Sequence, residues 1–300
     1  MSAPTLVPSR TPRTSRTARP AVAALAALRR IPLGPLLAWA VLVLLAVAAL
    51  TPGLLAPQPP NAVDPVNALA PPGSEHLLGT DQLGRDVYSR LVHGTRDSLV
   101  VGLGATSLAL GAGALLGVLA ATARAVVDEV LMRLTDILLA FPGLLLALLV
   151  IALLGPGTGH ATLAIGLSML PGFVRLARAQ ALLVGRADYV HHAVGFGQPR
   201  WTARLRHVVP NALPPLVVFA TLSIAGAVIA GASLSFLGLG PQPPDPEWGA
   251  MLAEGRGQFE DAWALALGPG VAVLLTAAAL TVVGRDLQRR LEGRHGHGRR

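Results

Sequence analysis

Residues Arg186 to Pro210 read RADYVHHAVGFGQPRWTARLRHVVP, a polar island set between long apolar stretches. The island carries Arg186, Arg200, Arg204 and Arg206, and it has the punctuation of two short helices joined by a glycine. Asp188 is placed to cap the first helix, which runs over Tyr189 to Phe196. Gly197 suits the left-handed position just past a helix end. Pro199 suits the first turn of a second helix, where its missing N–H costs nothing, and that helix is expected to stop at Pro210. Tyr189, Ala193 and Phe196 form one apolar stripe, and Trp201, Leu205 and Val208 another, with Arg200, Arg204 and His207 on a separate stripe. Such helices fit two settings: the groove of a partner protein, or a membrane surface with Trp201 as anchor and arginines on phosphates.

Outward from the island the chain is apolar. Over 300 residues it is 52% hydrophobic and 13% charged, about half the charge of a soluble domain. Six runs approach the roughly 20 residues needed to cross a bilayer core. They are Leu33–Leu50, Ser98–Ala121, Leu134–Leu154, Ala161–Ala177, Ala212–Ala232 and Trp263–Val283. The fourth is the weakest, interrupted by Pro171-Gly172 and ending in Arg175. In lipid each backbone polar group must be paired internally, so these are helices and the fold class is an all-α polytopic membrane protein. Phe141-Pro142-Gly143 is expected to kink or loosen the third.

All 24 basic side chains are arginine, and they set the orientation. With both termini inside, 20 of the 24 arginines fall on the cytoplasmic side; only Arg85, Arg90, Arg96 and Arg256 fall outside. That is the positive-inside pattern, and it explains the net charge of +8 without nucleic acid. The organisation expected is a disordered basic tail (1–30), a first membrane helix (31–51), an extracytoplasmic Pro-rich connector with an amphipathic segment (52–95), a core (96–285) and a second basic tail (286–300). Arg29-Arg30 before an apolar run has the look of a twin-arginine signal, but the run is long for one and five more spans follow. With no cysteine, disulfide scaffolds, thiolate metal sites and cysteine nucleophiles are excluded.

The island resembles the cytoplasmic "EAA" loop of type I ABC-importer permeases, whose pattern is Glu-Ala-Ala, three residues, Gly, nine residues, then Ile-x-Leu-Pro. Ala193, Gly197 and Pro210 stand at the matching separations. Four further stretches look like the dipeptide, oligopeptide and nickel class: HLLGTDQLGRDVYSRLVHGTRDSL (His76–Leu99), LTDILLAFPGLLLAL (Leu134–Leu148), RLRHVVPNALPPLVV (Arg204–Val218) and SLSFLGLGPQPPDPEWGAMLAEGR (Ser233–Arg256). The arrangement is that of the shorter, C-type subunit, one helix before a five-helix core.

The resemblance implies a permease subunit of an ATP-driven importer. Its partners would be a second homologous permease, two ABC ATPase subunits, an extracytoplasmic solute-binding protein and membrane lipid. Hydrolysis would belong to the ATPases; the chain has no phosphate-binding Gly-x-x-x-x-Gly-Lys-Ser/Thr loop, and no cofactor or metal is implied. Asp188, Tyr189, His191, His192, Ala193, Gly197, Arg200 and Pro210 would form the ATPase-coupling loop. His191-His192 stands where the family places Glu-Ala, and the C-terminal GRDLQRRLEG also departs from the family pattern. Adjacent histidines on a helix point about 100° apart and make no ready chelate.

The remaining polar residues divide between roles. Asp136, at the inner end of the third span, is expected to pair with Arg133 or a backbone group near the interface rather than to relay protons. Arg85, Asp86 and Arg90 either touch the binding protein or lie on a surface helix, and Trp248 is expected at headgroup level beside the outer gate. Gly102, Gly104, Gly111, Gly113 and Gly117 permit close helix packing. A stand-alone secondary transporter would need coupling-ion carboxylates at midplane and repeated halves, and the sequence offers neither. An intramembrane enzyme would need a nucleophile–base pair or metal ligands within the spans. The solute itself is not legible; peptides, nickel, glutathione and opine-like ligands remain open.

Overall fold

The computed structural model describes residues 33–56, 58–260 and 262–296. The expected disordered tail over 1–30 and the last residues of the C-terminal tail lie outside the described residues. Among those described the protein is all-helical, with one isolated bridge between Thr80 and Asp86. The helices are α1 (Leu33–Leu50), α2 (Val87–Thr122), α3 (Ala125–Ala140), α4 (Gly143–Leu154) and α5 (Thr158–Gly185). After them come α6 (Asp188–Gly195), α7 (Arg200–Ala203), a π-helical stretch (Arg204–Val208), α8 (Val209–Phe236), α9 (Trp248–Gly255) and α10 (Trp263–Gly296).

Five helices are long and apolar enough to cross a membrane, and the number becomes six if the bent pair α3–α4 is one span. That pair carries the kink expected at Phe141-Pro142-Gly143 within Leu134–Leu154, and the kink is a full break: its halves meet at 95°. The cause is local. Pro142 clashes with a helical predecessor and holds Phe141 extended, at ψ 136°. Two other boundaries also move. Pro171 leaves α5 unbroken over 28 residues, as membrane helices allow when neighbours cover the freed carbonyl. The stretch from Val87 to Asp97 is no separate surface helix, because α2 absorbs it in a single helix of 36 residues.

Lipid tails are as apolar as leucine, so close approach rather than water exclusion holds such a bundle together. The largest helix contact is α2 on α5. Small residues make it possible. A Cβ added at Gly117 would lie 2.5 Å from both the Val174 carbonyl oxygen and the Ala177 side chain. Gly102, Gly104 and Gly113 meet α8 and α5 in the same way, whereas Gly111 faces open space. A core of Val101, Ala105, Ile151, Ala164, Ile165 and Leu234 joins α2, α4, α5 and α8. Within its most apolar window α5 is 44% buried, and the peripheral α1 only 11%.

Two ion pairs fasten α3 to α5. Asp128 accepts from Arg178 Nε at 2.5 Å and from its second nitrogen at 2.6 Å, and Arg175 reaches Asp136 at 2.6 Å. Asp136 therefore does not pair with Arg133, which bonds Glu129 one turn away at 2.6 Å. The bend explains the difference: it lays α3 across the side of α5 and brings the two charged rows together.

Candidate functional site

The polar loop lies at one end of the bundle, where α2, α5 and α8 also end. Its first helix, α6, opens differently from expectation. Ala187 is the cap residue and offers no side-chain bond, so Asp188 sits inside the first turn. There its carboxylate still complements the positive end of the helix. The C-terminal end follows the sequence reading. Gly197 has φ +92°, its N–H donates to the Val194 carbonyl at 3.0 Å, and Gln198 N–H donates to Ala193 at 3.1 Å. This double bond pattern is the Schellman turn. Ala193 thus serves as acceptor in the turn that ends the helix.

Pro199 is the residue before α7 and Arg200 its first residue. The second helix does not stop at Pro210: helical backbone runs from Arg200 to Phe236 without a break. The accommodation is the π-helical stretch. Pro210 has no N–H to give the Arg206 carbonyl, and its ring crowds that carbonyl. The backbone widens by one residue, with Val209 N–H donating to Arg204. Asn211 covers the His207 carbonyl at 2.7 Å.

The faces of α6 also sort differently. The inward anchor is Val190, packed with Ala181 and Val208, while Tyr189 is half exposed and Phe196 is 92% exposed. Val190 was missed as a contact residue; Val190 and Val194, spaced i and i+4, carried that signal. His191 and His192 are both exposed, with His191 Nδ1 3.2 Å from the Ala187 carbonyl oxygen. Tyr189 meets His207 edge to face at 6.2 Å, and His207 lies 3.2 Å from the Gln198 amide oxygen. The short helix, the turn after it and the π stretch are therefore one connected unit, rooted on α5 and α8. Its apolar face of Tyr189, Phe196 and Trp201 is left exposed among the described residues.

The match to the family "Binding-protein-dependent transport system inner membrane component" spans residues 113–296 and contains this whole unit. The chain belongs to the binding-protein-dependent inner-membrane permeases. Curated relatives agree along most of its length. The chain is 40% identical over 85% of its length to "Probable D,D-dipeptide transport system permease protein DdpC" of Escherichia coli K12, covering 86% of that protein. It is 41% identical over 84% of its length to "Di/tripeptide transport system permease protein DppC" of Pseudomonas aeruginosa, covering 85% of it. To "Glutathione transport system permease protein GsiD" of Pectobacterium atrosepticum it is 39% identical, with 84% of each chain covered. Among solved structures, the MetNI methionine ABC transporter in inward-facing form matches with TM-score 0.50 and 18% identity. That match covers 66% of this chain and 96% of the other, and it shows the shared fold. The protein is thus the multi-pass permeation component of an ABC importer and not its hydrolase. Such systems work with an ATPase and a binding protein.

At the opposite end of the permease, the residues expected to face outward turn inward. Arg90 and Trp248 are each 1% exposed, and Arg85 and Asp86 are also buried. Arg85 bonds Asp81 at 2.6 Å and Glu254 at 3.3 Å, and Arg90 bonds Glu254 at 3.2 Å. Asp86 caps α2 by accepting from Ser89 N–H at 2.7 Å and lies 3.0 Å from His76 Nδ1. Trp248 donates its indole N–H to the Leu91 carbonyl at 3.0 Å. Glu247 caps α9 and accepts from Ser98 at 3.0 Å. Buried charges persist only when paired. This network ties the connector, the start of α2 and α9 into one block, leaving none of the four side chains as a free outer surface.

Proposed function

We propose that this permease forms half of the translocation path of an importer for peptides or a related small solute of the dipeptide, oligopeptide, glutathione or nickel type. A second homologous permease supplies the other half, two ATPase subunits dock on residues 186–210, and an extracytoplasmic binding protein delivers the solute. In this reading α3 and α4 together count as one of six spans, and the arginine distribution places both termini and the polar loop in the cytoplasm. The observation that carries the proposal is the uncovered face of α6 and α7, presented on a unit rooted in α5 and α8. ATPase closure pushes on that unit as a rigid body and passes its motion to the two helices behind it.

The solute class draws on the relatives and on one recess. Between α5, α8 and α10 lies a cavity of about 640 Å³ rimmed by Gln180, Asn211 and Gln288 over Pro214, Pro215 and Phe219. Its lining holds amides and apolar groups and no charge, which favours the peptide end of that range, whose backbone amides it can pair, over a metal cation.

The absence of cysteine from the sequence makes site-specific crosslinking direct. Single substitutions Tyr189→Cys and Phe196→Cys should crosslink to the ATPase in the assembled importer, and Leu153→Cys at the far end of α4 should not. Crosslinking from neither loop position in an importer that still transports would overturn the docking assignment.

A further inference from the structure

Behind α6 a cavity of about 420 Å³ opens between the ends of α2 and α5, α6 and α7. Arg186, Arg200 and Arg204 line it together with His191, and no carboxylate does. All three arginines are exposed, and among the described residues none of them makes an ion pair or side-chain hydrogen bond. That sets them apart from Arg85, Arg90, Arg133, Arg175 and Arg178, each of which meets a carboxylate. Three uncompensated cations around one cavity raise the local potential and favour an anion.

A second recess begins where the first ends. Thr122 lines both. The second, of about 350 Å³, is a groove between α2, α5 and α8, walled by Leu115, Leu119, Leu205, Leu213 and Leu216 and free of charge. Leu205 follows Arg204 directly, so the cationic wall and the leucine wall are adjacent along the chain. From Thr122 to Leu115 the groove climbs about 10 Å along α2, into the membrane-spanning part of the bundle.

We infer that the two recesses together bind one anionic phospholipid, its phosphate among Arg186, Arg200 and Arg204 and an acyl chain in the leucine groove. The charge of the first recess asks for a phosphate, and the groove beside it asks for a hydrocarbon chain on the same molecule. A free anion would satisfy only the first. The lipid sits against the inner side of the α6–α7 unit, so its occupancy sets how firmly that unit is held to α2 and α5. This goes beyond the coupling role: the outer side of the unit serves a protein and the inner side a lipid.

The test uses the complete importer in nanodiscs of phosphatidylcholine with rising phosphatidylglycerol, reading retained lipid by native mass spectrometry. Subunit stoichiometry in the same spectra reports assembly. Each guanidinium near a phosphate contributes about fivefold in affinity, so R186Q/R204Q should weaken phosphatidylglycerol retention about thirtyfold. Leu119→Trp, which fills the groove and leaves every arginine in place, should also lose the lipid. Equal retention by wild type and R186Q/R204Q overturns the proposal. So does retention that survives Leu119→Trp while excess inorganic phosphate displaces the lipid, since that marks a simple anion pocket. If R186Q/R204Q fails to assemble, Leu119→Trp alone decides, and unchanged phosphatidylglycerol retention by it overturns the lipid site. Because lipid retention is the readout, failure here leaves the docking assignment untouched.

Discussion

Gly197 offers a graded test of whether the loop works through its backbone shape. Its φ of +92° is reached readily only without a Cβ. A Cβ placed there would meet nothing within 4 Å, so Gly197→Ala carries no steric clash and isolates the conformational cost. For an L-residue in this region that cost is about 1–2 kcal/mol, a factor of roughly 5 to 30 in the population of the formed turn. Asn tolerates the left-handed region better than Ala and should cost less. Pro is forced to φ near −65° and also removes the N–H that donates to Val194 at 3.0 Å. It abolishes the Schellman turn. Solute-dependent ATP hydrolysis and uptake, measured in proteoliposomes with all partners present, should fall in the order Gly, Asn, Ala, Pro. Insertion of the permease, read from its amount in the same vesicles, should stay constant. Uptake by Gly197→Pro equal to wild type, or Ala more damaging than Pro, would refute the claim that the turn transmits force.

Other consequences follow from packing and charge. Gly117→Val places a side chain against the Val174 carbonyl, 2.5 Å from its first carbon. It should destabilise by about 1–3 kcal/mol or more, visible as a lower midpoint of thermal unfolding in detergent, whereas Gly111→Val should leave that midpoint unchanged. Arg90→Met removes the 3.2 Å contact to Glu254 and the 3.6 Å contact to Asp81 while Arg85 still holds both carboxylates, so a loss of about 1–3 kcal/mol is expected. Arg133→Gln, on an exposed pair, should stay within about 0.5 kcal/mol in the same assay. Asp136→Asn should matter only through Arg175. A double-mutant cycle with Arg175→Gln should return a coupling of about 0.2–1 kcal/mol, and a zero coupling would mean the pair does not fasten α3.

Much of the fold is legible in the sequence because a bilayer makes hydrophobicity and length almost sufficient. The spans, the exposed island and the glycine turn at Gly197 are local properties, each set by residues within a few positions. The broken third span was half legible: Pro142 announces a disturbance, and the 95° angle depends on α5 being there to receive Asp128 and Asp136. The failed readings share a cause. Arg90 and Trp248 look like outer-surface residues because the partners that bury them are remote in sequence; Glu254 and Leu91 are 164 and 157 residues away. The stripe of Tyr189, Ala193 and Phe196 was legible as apolar, but amphipathicity does not say which neighbour is present, and Ala181 on α5 with Val208 in the π-helical stretch select Val190 as the anchor.

The sequence by itself therefore determined that this chain is a helical membrane protein with a structured polar loop, since the lipid environment penalises every unpaired backbone group and every unpaired charge. Tertiary structure alone decided which charges pair, which face of α6 is anchored, and that Pro210 widens a continuous helix instead of ending one. Those outcomes depend on contacts between residues far apart along the chain, which no local pattern encodes.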